Sequence, residues 1–496
     1  PIAADPVEVA VADPDEGPPV REPAAKMPRE LWDVSYISGS KVGHIHTVIT
    51  PLKQGEQDWV TIEQQGKLTV SRFGTPVTIG MTFASVETLD GQLGRFKSTL
   101  KLGPLPNVSE GVVRDRSLET TTSSLGKKTT KTLAWKPEFG GFFAVDQSLR
   151  SKPMQPKETR EFKSLMPLAT DVAIADVTLT AADYETTELL EGERELLRIE
   201  VTMKAGGPHD TVQTIWTDRQ GEVMKSFTKD LGGMATYRTS REVALRKSET
   251  GTFDLGNFST VKVAGVGDVH AKRKMVYRVK LKHSDPREVF SHCGSQQVES
   301  IDGNSANLTV IALGPTSPVD LPVKPTAPVD EDLQANNLIQ SDDARVAAMA
   351  KGVLPDERDT YRLAVALENT VFRQMAKKNF STACATAAGV SRSLEGDRTE
   401  HAVLLAAMCR ARNIPARVAI GLVYYAPQKG FAYHMWNEVW TGQRWVPLDA
   451  TLGRGGIGGG HLKLTDSSLA GADSFTAFLP VAKVMGQLEI EVQLSE

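Results

Sequence analysis

Residues 394–425 read LEGDRTEHAVLLAAMCRARNIPARVAIGLVYY, residues 431–453 read FAYHMWNEVWTGQRWVPLDATLG, and HLKL follows at 461–464. From Thr399 to Arg412 apolar residues recur at helical spacing behind an acidic cap at Asp397, and Asn-Ile-Pro at 413–415 stops the run. The period then changes. Ala416 to Tyr425 predicts a strand, a turn around Pro427 to Gly430 reverses the chain, Tyr433 to Trp440 predicts a second strand, and after Thr441-Gly442 a third runs from Arg444 to Leu448. His434 therefore opens one strand and Asp449 closes its neighbour.

A helix start followed by His and Asp on adjacent antiparallel strands is how papain-like sites are assembled. A thiol at the helix start is acidified by the helix dipole, the His takes its proton, and the Asp fixes the imidazole tautomer. The blocks GD-TEHAVLLAA, NIPARVAIGLVY, HMWNEVW, WVPLDATLG and HLKLTDSSL, in this order over roughly the last third of the chain, resemble the transglutaminase-like superfamily, in particular its exported bacterial members. The resemblance implies an α+β fold: a papain-like domain of helices packed on an antiparallel sheet, in a class of cysteine proteases, amidases and acyltransferases. Position by position, it implies that His434 is the general base and Asp449 the orienting acid. Arg398 stands where an active member carries the nucleophilic Cys. Arginine stays protonated and cannot attack a carbonyl, so the resemblance implies impaired or absent thiol chemistry.

Other cysteines are weighed as substitutes. Cys409 is 11 residues along the same helix, about 16 Å away at ~1.5 Å per residue, and reads as a small buried residue. Cys384, in STACATAAGV, belongs to a preceding helix and would have to reach His434; Cys293 belongs to an upstream β segment. A relocated cysteine would make the chain an active thiol peptidase, amidase or crosslinker. Arg398 itself is either an ion-pairing residue, with Asp397, Glu400 or Asp449 as partner, or a fork that binds a carboxylate or anionic glycan in the old cleft. Trp436, on the strand face of His434, and Asn437, next to it, are further cleft candidates, as are Glu400 and His401, for which packing and hydrogen bonding are the favoured roles.

The 496 residues exceed one compact core, and a net charge of −4 gives no electrostatic reason to expect nucleic acid. Three cysteines build neither a disulfide framework nor a zinc-ligand spacing, and no cofactor or metal is expected. His44 and His46 share one strand face, without a third ligand at diagnostic spacing. The RGGIGGG after Leu452 lacks the Lys-Ser/Thr pair of a phosphate loop and reads as a loop bordering the cleft.

Residues 1–27 are rich in Pro, Ala and acids without apolar period and read as a disordered tether, beginning at Pro1 as a trimmed chain would, below an upstream anchor or signal. Alternating strands over 28–250 predict a large antiparallel β domain, 251–313 a small β unit, 314–331 a proline-rich linker, and 332–496 the transglutaminase-like domain. No run of about 18 apolar residues predicts a membrane helix. The expected setting is exported (periplasmic, cell-envelope or secreted), and the expected partner a peptide, a protein or a cell-envelope polymer.

Overall fold

The computed structural model describes residues 28–495, apart from 55–56, 73–74, 90, 102–105, 125–126, 169–170, 206–209, 230–232, 248–252, 255–259, 265, 283, 315–323, 376, 379–384, 471–480, 482–483 and 485. The tether at 1–27 and Cys384 thus lie outside the described residues.

Period-two alternation across residues 29–239 folds into fourteen antiparallel strands. They are β1 (Arg29–Ile37), β2 (Ser40–Gln54), β3 (Gln57–Arg72), β4 (Thr75–Thr88), β5 (Leu93–Lys101), β6 (Asn107–Arg114) and β7 (Ser117–Ser124). After β8 (Lys127–Ala134) come helix α1 (Ala144–Ser151), β9 (Thr159–Pro167), β10 (Val172–Leu189), β11 (Gly192–Lys204), β12 (Thr211–Thr217), β13 (Val223–Thr228) and β14 (Met234–Thr239). They form one sheet in the order β8-β7-β6-β5-β4-β3-β2-β1-β14-β13-β12-β11-β10-β9, so two meanders meet where β1 pairs with β14. One face is apolar. Leu149 of α1 packs there with Val177, Val201 and Ile215, while Phe142 and Phe143 pack with Ile49 and Ile62. Segment 139–151 therefore lies across this apolar face, tied to both halves by bridges from Gly140 to Gln92 and Ser164. On the opposite face Trp32 stacks on His46 at 4.0 Å, and Glu30 is 3.7 Å from that imidazole.

A short helix α2 (Arg241–Leu245), capped by the Ser240 hydroxyl, ends this region. Beyond it, β15 (Val261–Lys262) pairs with residues 430–431 of the C-terminal sheet. A four-stranded sheet follows from β16 (Lys274–Leu281), β17 (Gln296–Asp302) and β18 (Ser305–Ile311), completed by β25 (Leu488–Ser495) against β16. At the far end of the proline-rich stretch, the Thr326 carbonyl accepts from Trp445 Nε1 at 2.8 Å.

The C-terminal region has helices α3 (Ala344–Lys351), α4 (Thr360–Gln374), α5 (Ala387–Ser393) and α6 (Arg398–Ala411). Short β19 (Lys377–Lys378) and β20 (Glu395–Gly396) pair in parallel just before α6. The sheet contains β21 (Ala416–Tyr425), β22 (Gly430–Trp440), β23 (Trp445–Leu448) and β24 (His461–Ser467). Its order is β15-β22-β21-β24, with β23 on β22. Helix α6 is buried from Thr399 to Arg410, because it is apolar nearly all round and is covered by β21 and β22 on one side and by α3, α4 and α5 on the other. Its start is fixed by a capping box: Asp397 accepts from Thr399 N at 2.8 Å and Glu400 accepts from Asp397 N at 2.9 Å. Its end is fixed by Asn413, at φ +58°, and by the bond from Ile414 N to Cys409 O.

Candidate active site

Three elements converge on one buried point. β22 carries His434, the turn after β23 carries Asp449, and β24 carries His461; all three side chains are at most 2% exposed. Asp449 Oδ2 accepts from His434 Nε2 at 2.8 Å and from His461 Nε2 at 3.0 Å. Its other oxygen accepts from Thr451 N at 2.8 Å and Thr451 Oγ1 at 2.6 Å. Each imidazole spends its Nε2–H on the shared carboxylate. The Nδ1 atoms of both rings are buried and have no hydrogen-bond partner among the described residues, so Nδ1 of His434 keeps its lone pair, the arrangement a general base requires.

Strand spacing explains how His461 arrives. β24 lies on the opposite edge of β21 from β22, and a Cβ on Gly421 would stand 2.0 Å from Leu462 O. Glycine there lets β21 and β24 approach, and His461 reaches across towards His434, 5.9 Å between ring centroids. Trp436 closes the side: it is 2% exposed, 6.3 Å from His434 and 5.1 Å from His461.

Charge sets the protonation. Burial pushes the His434 imidazole down to about 4; the Asp449 carboxylate opposes that shift, while the Arg398 guanidinium and His461 add to it. Burial alone would raise the Asp449 carboxyl, but the two imidazoles outweigh it and hold the carboxyl well below its ordinary range. The folded centre thus holds an ionised Asp449 carboxylate against a neutral His434 imidazole. A second carboxyl stands behind it. Glu368 of α4 accepts from Asp449 N and Gly455 N, both at 2.9 Å, and burial raises its pKa to about 8, so it is neutral at pH 7.

A pH prediction follows for the stability of this domain. His434 has a lowered folded pKa, so its contribution is present above pH ~6.5 and is lost as pH falls towards about 4, by up to roughly 3 kcal/mol at 1.36 kcal/mol per unit. Glu368 runs oppositely: its contribution is present below pH ~4.5 and is lost as pH rises through about 8. Amide hydrogen exchange of the α6 core, corrected for intrinsic rates, should show protection falling between pH 6.5 and 4.5, with that slope reduced in His434→Asn. An unchanged slope in the variant would assign the acid sensitivity to other groups.

Arg398 is half-buried at the first position of α6. Its Nη1 donates to Tyr433 O at 3.0 Å, next to His434, and its guanidinium lies 5.6 Å from the Tyr425 ring centre. Of the other sequence candidates, Trp436 faces His434. Asn437 turns the other way, donating from Nδ2 to Ala402 O at 2.9 Å. Glu400 is consumed by the capping box and by Ala385 N at 3.2 Å, and His401 Nδ1 bonds Asp397 O at 2.6 Å. Both are buried supports of the helix start. Cys409 is fully buried with its thiol pushed up to about 12, and Cys293 contacts the Ser295 hydroxyl at 3.5 Å.

The sequence reading did not single out His461 or Glu368. His461 had a signal, a histidine opening the HLKL block 12 residues after Asp449. Glu368 had none, since one carboxyl among the apolar positions of α4 shows no partner until the chain is folded. His434, Asp449 and His461 lie close enough to surround a cation, their ligand atoms being within 4.8 Å of one another. Hydrogen bonding accounts for the separations: 2.8 and 3.0 Å are shorter than the roughly 3.3 Å between neighbours on tetrahedral zinc, and among the described residues neither Nδ1 has the outer acceptor that orients a ligating imidazole.

Residues 347–450 match the transglutaminase-like superfamily. Among solved structures, a cysteine protease candidate from Cytophaga hutchinsonii is similar at 15% identity, with 45% of this chain and 86% of that one covered and a TM-score of 0.27. A β-barrel-like protein, a domain of unknown function from Brucella abortus, is similar at 10% identity over 43% of this chain and 96% of that one, TM-score 0.32. A protease candidate from Parabacteroides distasonis is similar at 11% identity over 70% of this chain and 64% of that one, TM-score 0.18. No curated protein matches the chain.

Proposed function

We propose that this chain, whose residues 347–450 form a transglutaminase-like domain behind a large β domain, is a binding descendant of the cysteine acyl-transfer enzymes and carries out no thiol chemistry of its own. The observation that carries the reading is Arg398. It occupies the helix start that a nucleophile needs, bonds the carbonyl beside His434, and helps hold that imidazole neutral. A cation there also disfavours the imidazolium that would accompany a thiolate.

In this reading His434, Asp449 and His461 are kept because they close the domain core. A carboxylate that satisfies two imidazoles and one hydroxyl is costly to take apart. The guanidinium is then the recognition element for an acidic group on a peptide, protein or cell-envelope polymer, with the protein acting in an exported setting.

The test is direct. Incubated with a vinyl sulfone or epoxide peptide, the wild-type protein is expected to show no adduct by intact mass. A single adduct that disappears in His434→Ala would overturn the proposal and establish a relocated cysteine as nucleophile.

A further inference from the structure

A different region carries an inference that does not rest on the reading of the C-terminal domain. Between the apolar face of the fourteen-stranded sheet and segment 142–150 lies a cavity of about 370 Å³, within the range of small-molecule sites. Its wall is built by the consecutively paired strands β1, β2, β3 and β9 to β14 together with residues of α1.

The chemistry of the wall is uneven. Ile45, Ile49, Met166, Met203, Val223 and Met224 line it and are all only half-buried. Val177, Val201 and Ile215 also line it but are at most 3% exposed, so the open aliphatic surface of the wall belongs to the first six. Three of the six are methionines, whose unbranched side chains repack around a flexible apolar guest more readily than branched ones do. The charged groups in the wall cancel. Arg238 Nε donates to Asp33 Oδ1 at 2.8 Å, Arg150 is 3.0 Å from Oε1 of Glu222, a residue outside the lining, and the remaining two charged lining residues, Asp146 and Lys225, are of opposite sign. Balanced pairs give no drive for a charged guest, whereas the open aliphatic wall gives one for an apolar guest.

We infer that this cavity is a binding site for one long aliphatic chain, held under α1 against the Met- and Ile-lined wall, with its polar head at the mouth. The site is selective for the chain and indifferent to the charge of the head. The fluorescent fatty acid cis-parinaric acid should therefore bind saturably, at one equivalent per full-length protein. Laurate and 1-dodecanol should both displace it, within a few-fold of each other.

Met203→Trp and Ile45→Trp grow into the cavity from half-buried positions and should weaken binding at least tenfold, while Phe227→Ser, at an exposed site outside the lining, should leave it unchanged. If either Trp variant loses its far-UV circular dichroism, photolabelling the wild-type protein with a diazirine fatty acid replaces it, and the crosslinks must fall on the cavity wall. The inference is overturned by absence of saturable binding, by tight binding that survives both folded Trp variants, by crosslinks elsewhere, or by displacement with laurate but not with dodecanol.

Discussion

Replacing Arg398 by Cys is expected to create a fast thiol. The substituted side chain would start at the first position of a helix whose cap is already formed by Asp397 and Glu400. It would lie on the side where Arg398 now reaches the carbonyl next to His434. Two changes occur together: a cation that depresses the His434 imidazole is removed, and a group able to give that imidazole a proton is supplied. The ring is already turned for the exchange, with Nε2 committed to Asp449 and Nδ1 unpartnered. A free cysteine at pH 7 is a few per cent thiolate, and pairing with His at a helix N-terminus lowers the pKa to about 3.5–7.5, so alkylation by iodoacetamide should accelerate roughly ten- to thirtyfold over an ordinary exposed thiol. Cys409, buried and with its thiol pushed up to about 12, provides a slow internal background. Mass spectrometry of the labelled peptides gives the rate at each position. Should the introduced thiol react no faster than free cysteine, or equally fast when His434→Ala is added, the pair would not be the base that the geometry describes.

Asp449→Ala should give the largest loss of stability of any single change in this centre. The carboxylate accepts from two imidazoles, one amide and one hydroxyl, all buried or half-buried. Alanine would strand these donors without admitting water easily. Removing one partner of a buried charged network costs about 3–5 kcal/mol. Hydrogen exchange in α6 would read this as a 10²–10³-fold or greater loss of protection, converted at 1.4 kcal/mol per factor of ten. A loss under tenfold would mean that solvent reaches the centre and that the three side chains are held by something other than the carboxylate.

Much of this centre was legible in the residue order because its parts are local. The start of α6 is set by Asp397 and Glu400, its stop by Asn413 and Pro415, and the alternation from Ala416 to Trp440 fixes two neighbouring strands whose register puts Gly421 opposite His434. The prediction placed the helix one residue late, at Thr399, because Arg398 has no apolar partner to mark it as helical. What stayed hidden is non-local. Asn437 was read as a cleft residue from its distance to His434, but adjacent residues on a strand face opposite sides, and it turns to α6. Glu368 acquires its role only when α4 is laid against the turn after β23. The strand Leu488–Ser495 gave no sign that its partner would lie more than two hundred residues upstream, because strand patterns state which face is buried and not which neighbour is chosen.

That last pairing has a bearing on how the protein is made. In the order β17-β18-β16-β25, strand β16 gains its second neighbour only from residues 488–495, which leave the ribosome after the whole α-helical segment and the five-stranded sheet. Until then Lys274–Leu281 presents an open edge of backbone donors and acceptors in the nascent chain, with alternate side chains destined for the core. Synthesis at ~5–20 residues per second leaves that edge open for on the order of ten seconds or more. A chaperone that shields exposed strands is the kind of helper such a chain would need, and stalling before residue 488 should favour edge-to-edge association between nascent chains.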